Sequence, residues 1–406
     1  MRVLLISNTF PYPPNSGFPL RVYNLLYRIA REHEVWLASF TAGHENPADI
    51  EHMREICREV VTVPFSRQGA LSNPLQAARF LFKGIPPTLR AYESQQFVEK
   101  ILDLISRVDF DVVQIEDSHM SFYLDHLPAA VRAKTFLTFH DINFHKHEKM
   151  SEVEPKRTRK LRTWLHGRMM RNWEPFQAQR FGHCITMSQS DKELLLAVNP
   201  GLKITVLPNG VDTRRYAPLP FPVNTNRLIF VGNMAYRPNI DAVTWFCRDI
   251  YPIIKAEYPK IEFWIVGKDP APEVTSLATN GVRVTGQVDN LIPYYKDAIM
   301  CVVPLRAGGG TRLKILEAMA LGRPVVATTI GCEGIDARNG EHLFIADTPE
   351  RFANCTLELL RDKQQWLEMT RRARALAVER YDWDLVARKH IQLYEEICGR
   401  NPRTMA

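Results

Sequence analysis

Short apolar runs recur along the chain, separated by stretches in which apolar positions return every three or four residues. In the first half the runs fall at 2–7, 34–40, 60–64, 111–116, 134–139, 183–187 and 204–207. Runs of this length bounded by turn residues predict strands buried on both faces. The 3.6-residue period fills the gaps at about 18–32, 47–58, 74–82, 93–107 and 156–180. Strands alternating with helices predict βαβ units and a parallel sheet.

A second series opens at Arg227-Leu-Ile-Phe-Val231 and repeats the scheme. Its strands are predicted at 261–266, 282–285, 299–303, 324–327 and 343–345, with helices at about 239–257, 290–296, 311–321, 349–361 and 363–380. Between the series lies Tyr216-Ala-Pro-Leu-Pro-Phe-Pro-Val-Asn-Thr-Asn226, whose three prolines and two asparagines read as a linker. The expected architecture is α/β, with two doubly wound domains at 1–213 and 218–380 facing each other across a cleft. Ligands of such sheets bind beyond the carboxyl ends of the strands.

Composition sharpens this only in places. A length of 406 residues exceeds one ordinary core. No apolar run reaches the roughly 18 residues of a membrane span. Met1-Arg-Val-Leu-Leu-Ile-Ser7 ends in Asn8-Thr-Phe-Pro11, which reads as a first strand rather than a signal peptide. Seven cysteines (57, 184, 247, 301, 332, 355, 398) form no CxxC pair, so neither zinc nor a disulfide framework is expected and a reducing cytoplasm fits. The net charge of +7 is concentrated between Lys146 and Arg171, where nine Lys/Arg face three Glu beside Trp164, Leu165, Met169 and Met170. That segment reads either as a solvated helical face or as a peripheral contact with an anionic membrane or a phosphorylated lipid acceptor. Phe80-Leu-Phe-Lys-Gly-Ile-Pro-Pro87 is a second apolar surface candidate. No nucleic-acid module accompanies the basic residues, and nucleic acid is not expected as a partner.

Candidate chemistry sits where strands end. After the strand ending near Leu305 come Gly308-Gly309-Gly310, then Thr311, Arg312, Lys314 and Glu317 on a helix. Glycines let a backbone turn its N–H groups onto an anion, and the helix start adds unpaired amides. Glu317, two turns in, is placed to meet sugar hydroxyls, so a nucleotide-like ligand is expected. Arg237 follows a second junction at Gly232, and Gly267-Lys268 and Gly286-Gln-Val288 mark two more strand ends. In the first domain Gly17 opens a helix, and His140-Asp141 ends the apolar strand Thr135-Phe-Leu-Thr-Phe139. His140, His145 and His147 have no metal-ligand spacing, and no metal is expected.

With these motifs assembled, the chain resembles the retaining GT-B glycosyltransferases of the "glycosyl transferases group 1" family along essentially its whole length. The resemblance rests on Gly17, His140-Asp141, Ser188-Gln-Ser-Asp191, Pro208-Asn-Gly-Val-Asp212, Val231-Gly232, Val266-Gly267, Gly286-Gln-Val288 and Leu316-Glu-Ala-Met-Ala320. It implies two Rossmann-like domains, the first for the acceptor and the second for a nucleotide-diphosphate sugar, UDP- or GDP-linked, with no further cofactor. Glu317 would hold ribose hydroxyls, Gly286 to Val288 would border the base, and Gly309, Gly310 and Thr311 would offer amides to phosphate or sugar. Arg237, Gly267 and Lys314 complete the implied donor site, Gly17 would approach the diphosphate, and His140 and Glu317 are the expected catalytic pair. Residues 381–400 would form a helix crossing back to the first domain. The implied partners are the donor and a glycan or lipid-linked acceptor, with a cytoplasmic location at or near the inner membrane face.

Two positions depart from the family. Gly309 stands where a glutamate eight residues before Glu317 is usual, and Asn233 occupies the usual phosphate-binding arginine position, with Arg237 nearest to replace it. A nucleotide-sugar-binding pseudoenzyme and a sugar-nucleotide epimerase of the same fold are the alternatives. A dinucleotide oxidoreductase would need GxGxxG after the first strand, which Ile6-Ser-Asn-Thr-Phe10 lacks.

Overall fold

A computed structural model describes residues 1–43, 45–65, 85–223, 225–279 and 281–399. The chain forms two compact units. One comprises Met1–His145, Trp164–Asn209 and Asp384–Ala406, the other Lys146–Thr163 and Gly210–Trp383.

The first unit is built on β1 (Arg2–Ser7), β2 (Glu34–Thr41), β3 (Glu59–Pro64), β4 (Val112–Glu116), β5 (Thr135–Phe139), β6 (His183–Thr186) and β7 (Ile204–Val206). All pairings are parallel, in the order β3-β2-β1-β4-β5-β6-β7, and the order reverses direction between β1 and β4. Leu4, Ile6, Val113, Ile115 and Leu137 are fully buried in this core. Burying such a side chain contributes roughly 1.5–3 kcal/mol. The helix Gly17–Ile29 covers the sheet with Val22, Leu25, Leu26 and Ile29, an apolar stripe at helical spacing. From the chain's far end, the helix Trp383–Ile397 sends His390 and Tyr394 to the buried Gln114 of β4, whose Oε1 accepts from both.

The second unit repeats the scheme with β8 (Arg227–Val231), β9 (Glu262–Val266), β10 (Val282–Val284), β11 (Met300–Val303), β12 (Val325–Ala327) and β13 (Phe344–Ile345). The order is β10-β9-β8-β11-β12-β13, again all parallel, with its reversal between β8 and β11. The proline-rich stretch expected as a linker is packed against this unit along its first residues. Arg374 donates to the carbonyls of Thr213, Tyr216 and Ala320, and buried Arg323 to that of Pro220. Leu219 N–H bonds Leu321 O at 3.0 Å, and Phe221 meets Trp366 edge-on. Prolines that donate nothing still offer carbonyls, and Arg323 takes that of Pro220.

Elsewhere the helices differ in detail from the periodic reading. The helix expected at 239–257 is interrupted by a π-turn at Phe246–Ile250, where Tyr251 N–H bonds Phe246 O. Pro252 follows at once, and its ring and missing N–H disfavour a regular turn there. The basic stretch 146–171 lies on two helices, Asn143–Glu152 and Arg157–Ala178, parted before Pro155-Lys156. Helices at Gln189–Val198 and Ser118–His126 were not legible from periodicity. The expected helix at 74–82 and most of the apolar stretch from Phe80 lie outside the described residues. Among the described residues no helix is long and apolar enough to cross a membrane.

Candidate functional site

In open parallel sheets ligands bind at the carboxyl ends of the strands where the order reverses. Both units place their polar chemistry at that point, and each is built differently.

In the first unit β4 ends at Glu116, which is 1% exposed. Its Oε2 lies 2.6 Å from His140 Nε2, and its Oε1 accepts from Gln114 Nε2 at 2.5 Å. The His140 ring, just past β5, packs on Phe18 with centroids 4.1 Å apart. Gly17 precedes Phe18 at the start of its helix, so Gly17 and His140 are brought into one neighbourhood. Asp117 takes φ 80°, a strained conformation for a residue with a Cβ. It accepts from His119 N–H at 3.1 Å and from Asn8 Nδ2 at 3.3 Å, and lies 2.6 Å from His119 Nδ1. Burial alone would raise the Asp117 carboxyl, but His119, with His140 behind it, holds it well below the usual range.

Beneath this layer Glu174 is fully buried. It accepts from Ser118 Oγ at 2.8 Å, from Asn143 Nδ2 at 2.9 Å and from the N–H groups of Asn143 and Phe144. It therefore ties the loop carrying His140 and Asp141 to the loop after β4. Burial pushes its carboxyl up to about 6 against those donors. Arg21, also fully buried, donates to the carbonyls of Leu207 and Pro208 and to Asn209 Oδ1, fixing the Pro208-Asn-Gly turn. Burial lowers the guanidinium to about 10, with Glu116 opposing the shift.

In the second unit the ends of β8, β9 and the loop after β10 meet closely. Gly267 has φ 148°, and a Cβ there would stand 1.7 Å from Gly232 O. Gly267 N–H bonds Gly286 O at 3.2 Å, so these two glycines are brought together as expected of neighbouring strand ends. Val288 is half-buried against the core. Gly308 and Gly310 adopt left-handed φ values on either side of Gly309. Arg312 donates through Nη1 to Gly309 O, so a guanidinium lies beside the position where a carboxylate is usual. Thr311 Oγ1 and Arg312 Nε are buried and make no hydrogen bond.

Lys314 and Glu317 lie on the helix Leu313–Ala320. Lys314 Nζ is 3.2 Å from Asn239 Oδ1 and 3.8 Å above the Phe230 ring. Burial lowers it to about 7. Glu317 accepts from Tyr216 Oη at 3.4 Å, and burial pushes it up to about 7 although Tyr216 and Lys314 oppose the shift. Two neighbouring arginines each meet a carboxylate. Arg306 makes a two-pronged pair with Asp241 at 2.6 and 2.9 Å, and Arg237 donates to Glu273 at 3.0 Å. Among the described residues the side-chain hydrogen bond of Lys314 goes to the neutral amide of Asn239.

The periodic reading found Gly17, His140, Lys314 and Glu317 but missed Glu116, Asp117 and Glu174. A signal existed. Gln114 and Glu116 are polar residues on alternate positions of an otherwise apolar strand, which a strand buried on both faces does not carry without partners. Among the described residues no group of three or more His, Cys, Asp or Glu is placed to hold a metal ion.

Residues 16–215 match the family model Glycosyltransferase Family 4, and residues 225–362 match Glycosyl transferases group 1. An uncharacterized 44.6 kDa protein in the cps region of Klebsiella pneumoniae is 27% identical over 40% of this chain and 44% of its own length. The phosphatidyl-myo-inositol mannosyltransferase of Mycolicibacterium smegmatis is 27% identical over 48% and 52%. The chain thus spans about half the length of these curated relatives. Sucrose-phosphate synthase from Thermosynechococcus elongatus has a similar structure, with TM-score 0.73 and 19% identity over 98% of this chain and 100% of that one. Anabaena HepE, solved with UDP and glucose, gives TM-score 0.63 and 16% identity over 97% and 99%. The fold shared with these structures is GT-B.

Proposed function

We propose that this chain, which belongs to the GT-B glycosyltransferases, moves a sugar from a nucleotide diphosphate to a hydroxyl of a glycan or lipid-linked acceptor in glycoconjugate biosynthesis. The observation that carries the reading is the ring of backbone and side-chain groups at the carboxyl ends of β8 and β11. There the triple-glycine loop, half-buried Lys314 and half-buried Glu317 converge, and among the described residues the side-chain hydrogen bond of Lys314 goes to the neutral amide of Asn239. A diphosphate supplies the anion that Lys314 lacks, and ribose hydroxyls suit Glu317.

In this reading Gly309, Gly310 and Thr311 serve phosphate or sugar, Gly267 and Gly286 to Val288 border the base, and Gly17 serves the diphosphate. Lys314 and Arg237, whose Nη1 meets Glu273 and whose buried Nε makes no hydrogen bond, serve the phosphates. Arg312 beside Gly309 changes the contacts open to the donor sugar. His140, oriented by Glu116, is in this reading the residue that serves the transferred sugar. As the leaving diphosphate gains negative charge, preorganised amides and Lys314 stabilise it. The acceptor hydroxyl attacks from the face that the diphosphate leaves, giving it its proton, so the anomeric configuration is retained and no metal takes part.

The test is a panel of UDP- and GDP-sugars with the purified chain, following nucleoside diphosphate release and the anomeric signals of the product by NMR. Turnover at limiting donor that falls in Glu317→Ala and His140→Ala, with a retained configuration in the wild-type product, is the expected result. Tight donor binding without release or transfer would overturn it in favour of a binding-only protein, and an inverted product would overturn the same-face mechanism.

A further inference from the structure

One helix carries apolar side chains that are left exposed. In Arg157–Ala178 the buried residues include Gly167, Met170, Trp173, Glu174, Gln177 and Ala178, which share one side. Leu161, Trp164, Leu165 and Phe176 stand on or beside the opposite side and are 57%, 45%, 48% and 54% exposed. Their spacing makes Leu161, Trp164 and Leu165 neighbours on the surface. Single exposed apolar residues are ordinary, whereas a cluster on one helix face marks an interaction site.

The charge around that face is of one sign. Lys156, Arg157, Arg159, Lys160, Arg162 and Arg168 are all exposed. No aspartate or glutamate occurs from Pro155 to Trp173. Elsewhere on this surface arginines sit beside carboxylates, as Arg107 does with Glu59 and Arg361 with Glu257. A partner for this helix must therefore supply both negative charge and an apolar layer.

We propose that the outward face of Arg157–Ala178 docks on an anionic lipid bilayer. Trp164, with Leu161 and Leu165, enters the boundary between headgroups and acyl chains, where an indole has both an apolar and a wet side. The lysines and arginines lay their methylene stems along that boundary and meet lipid phosphates with their charged ends. Polyphosphate chains such as nucleic acid offer the charge without a layer for the leucines, so the bilayer is the better match. The inference rests on this helix alone and is independent of the sugar-transfer reading.

Flotation of the full chain with vesicles tests it. The chain is expected to float with phosphatidylcholine vesicles containing phosphatidylglycerol, not with phosphatidylcholine alone, and to be released at high salt. Each exposed Lys or Arg changed to Gln should cut the partition coefficient about fivefold. Leu161→Asp or Trp164→Ala should cut it by about tenfold or more, with thermal melts unchanged because these side chains are exposed. Equal flotation on both vesicles, or wild-type flotation of the Gln variants, would overturn the proposal. So would failure to float combined with self-association that Leu161→Asp abolishes, which would assign the face to a second copy of the chain.

Discussion

The two units repeat one topology yet treat charge at its reversal point in opposite ways. In the first, acidic side chains are met by their own partners. Glu116 has His140, Asp117 has His119, and Glu174 has four donors from two loops. In the second, Lys314 rests on an amide oxygen and an aromatic ring, and Glu317 on a phenol at 3.4 Å. The first arrangement is complete by itself and holds its groups in fixed directions. The second is short of counter-charge, and burial has moved both groups toward neutrality. A site that must bind and release an anion many times gains from such a deficit, whereas a site that positions an imidazole gains from saturation.

The sharpest way to break this comparison is to remove one group from each side. His140→Ala should lower kcat by about 10²–10⁴-fold while leaving the donor KM nearly unchanged. Glu116→Gln should fall short of that loss, because it leaves the imidazole in place without the carboxylate that orients it. Wild-type kcat in Glu116→Gln would deny Glu116 an orienting role. Glu317→Ala should act on the other quantity, lowering kcat/KM for the donor by about 10–100-fold.

Glycines of the second unit separate binding from folding. Gly232→Ala puts a methyl 2.8 Å from Asn239 Nδ2 and 3.1 Å from Lys314 Nζ, both ends of side chains that are able to shift. It should raise the donor KM about tenfold while changing stability by less than about 1 kcal/mol in urea melts. Gly267→Ala meets the backbone oxygen of Gly232 instead and should destabilise by more than about 3 kcal/mol. If the two variants behaved alike, Lys314 would not be positioned by the space that Gly232 leaves.

The second unit's site was largely legible in the sequence because it is local. Gly308 to Gly310, Lys314 and Glu317 lie within a dozen residues, on a strand-loop-helix whose periodicity is plain. The first unit's site was legible only at His140 and Gly17. Glu116 acquires meaning when β4 is set between β1 and β5, and Gln114 when His390 and Tyr394 arrive from the C-terminal helix. Contacts over that sequence distance leave no period to read. Likewise, Arg237 looked like an anion ligand by position, and its pairing with Glu273 depends on a helix start 35 residues further on.

The smallest effect follows from the charge deficit itself. Glu317 is held at about 7 against an ordinary 4.5, so between those values the folded chain keeps a proton that the unfolded chain has lost. Stability contributed by this group falls as pH rises through that window. Lys314 is held at about 7 against an ordinary 10.5, so above 7 the unfolded chain holds the extra proton, and stability rises with pH toward 10.5. Both groups are only half-buried, so solvent screens most of these shifts. Together they place a shallow minimum near neutral pH, on the order of 1 kcal/mol deep, in urea melts taken from about pH 5 to about pH 10. Glu317→Gln should flatten the acidic side of that minimum and Lys314→Met the basic side. A saturating nucleoside diphosphate should raise the neutral region most, because it gives Lys314 the counter-charge that the fold withholds. In the first unit, Glu116→Gln should leave this minimum in place, since its imidazole partner already belongs to the fold.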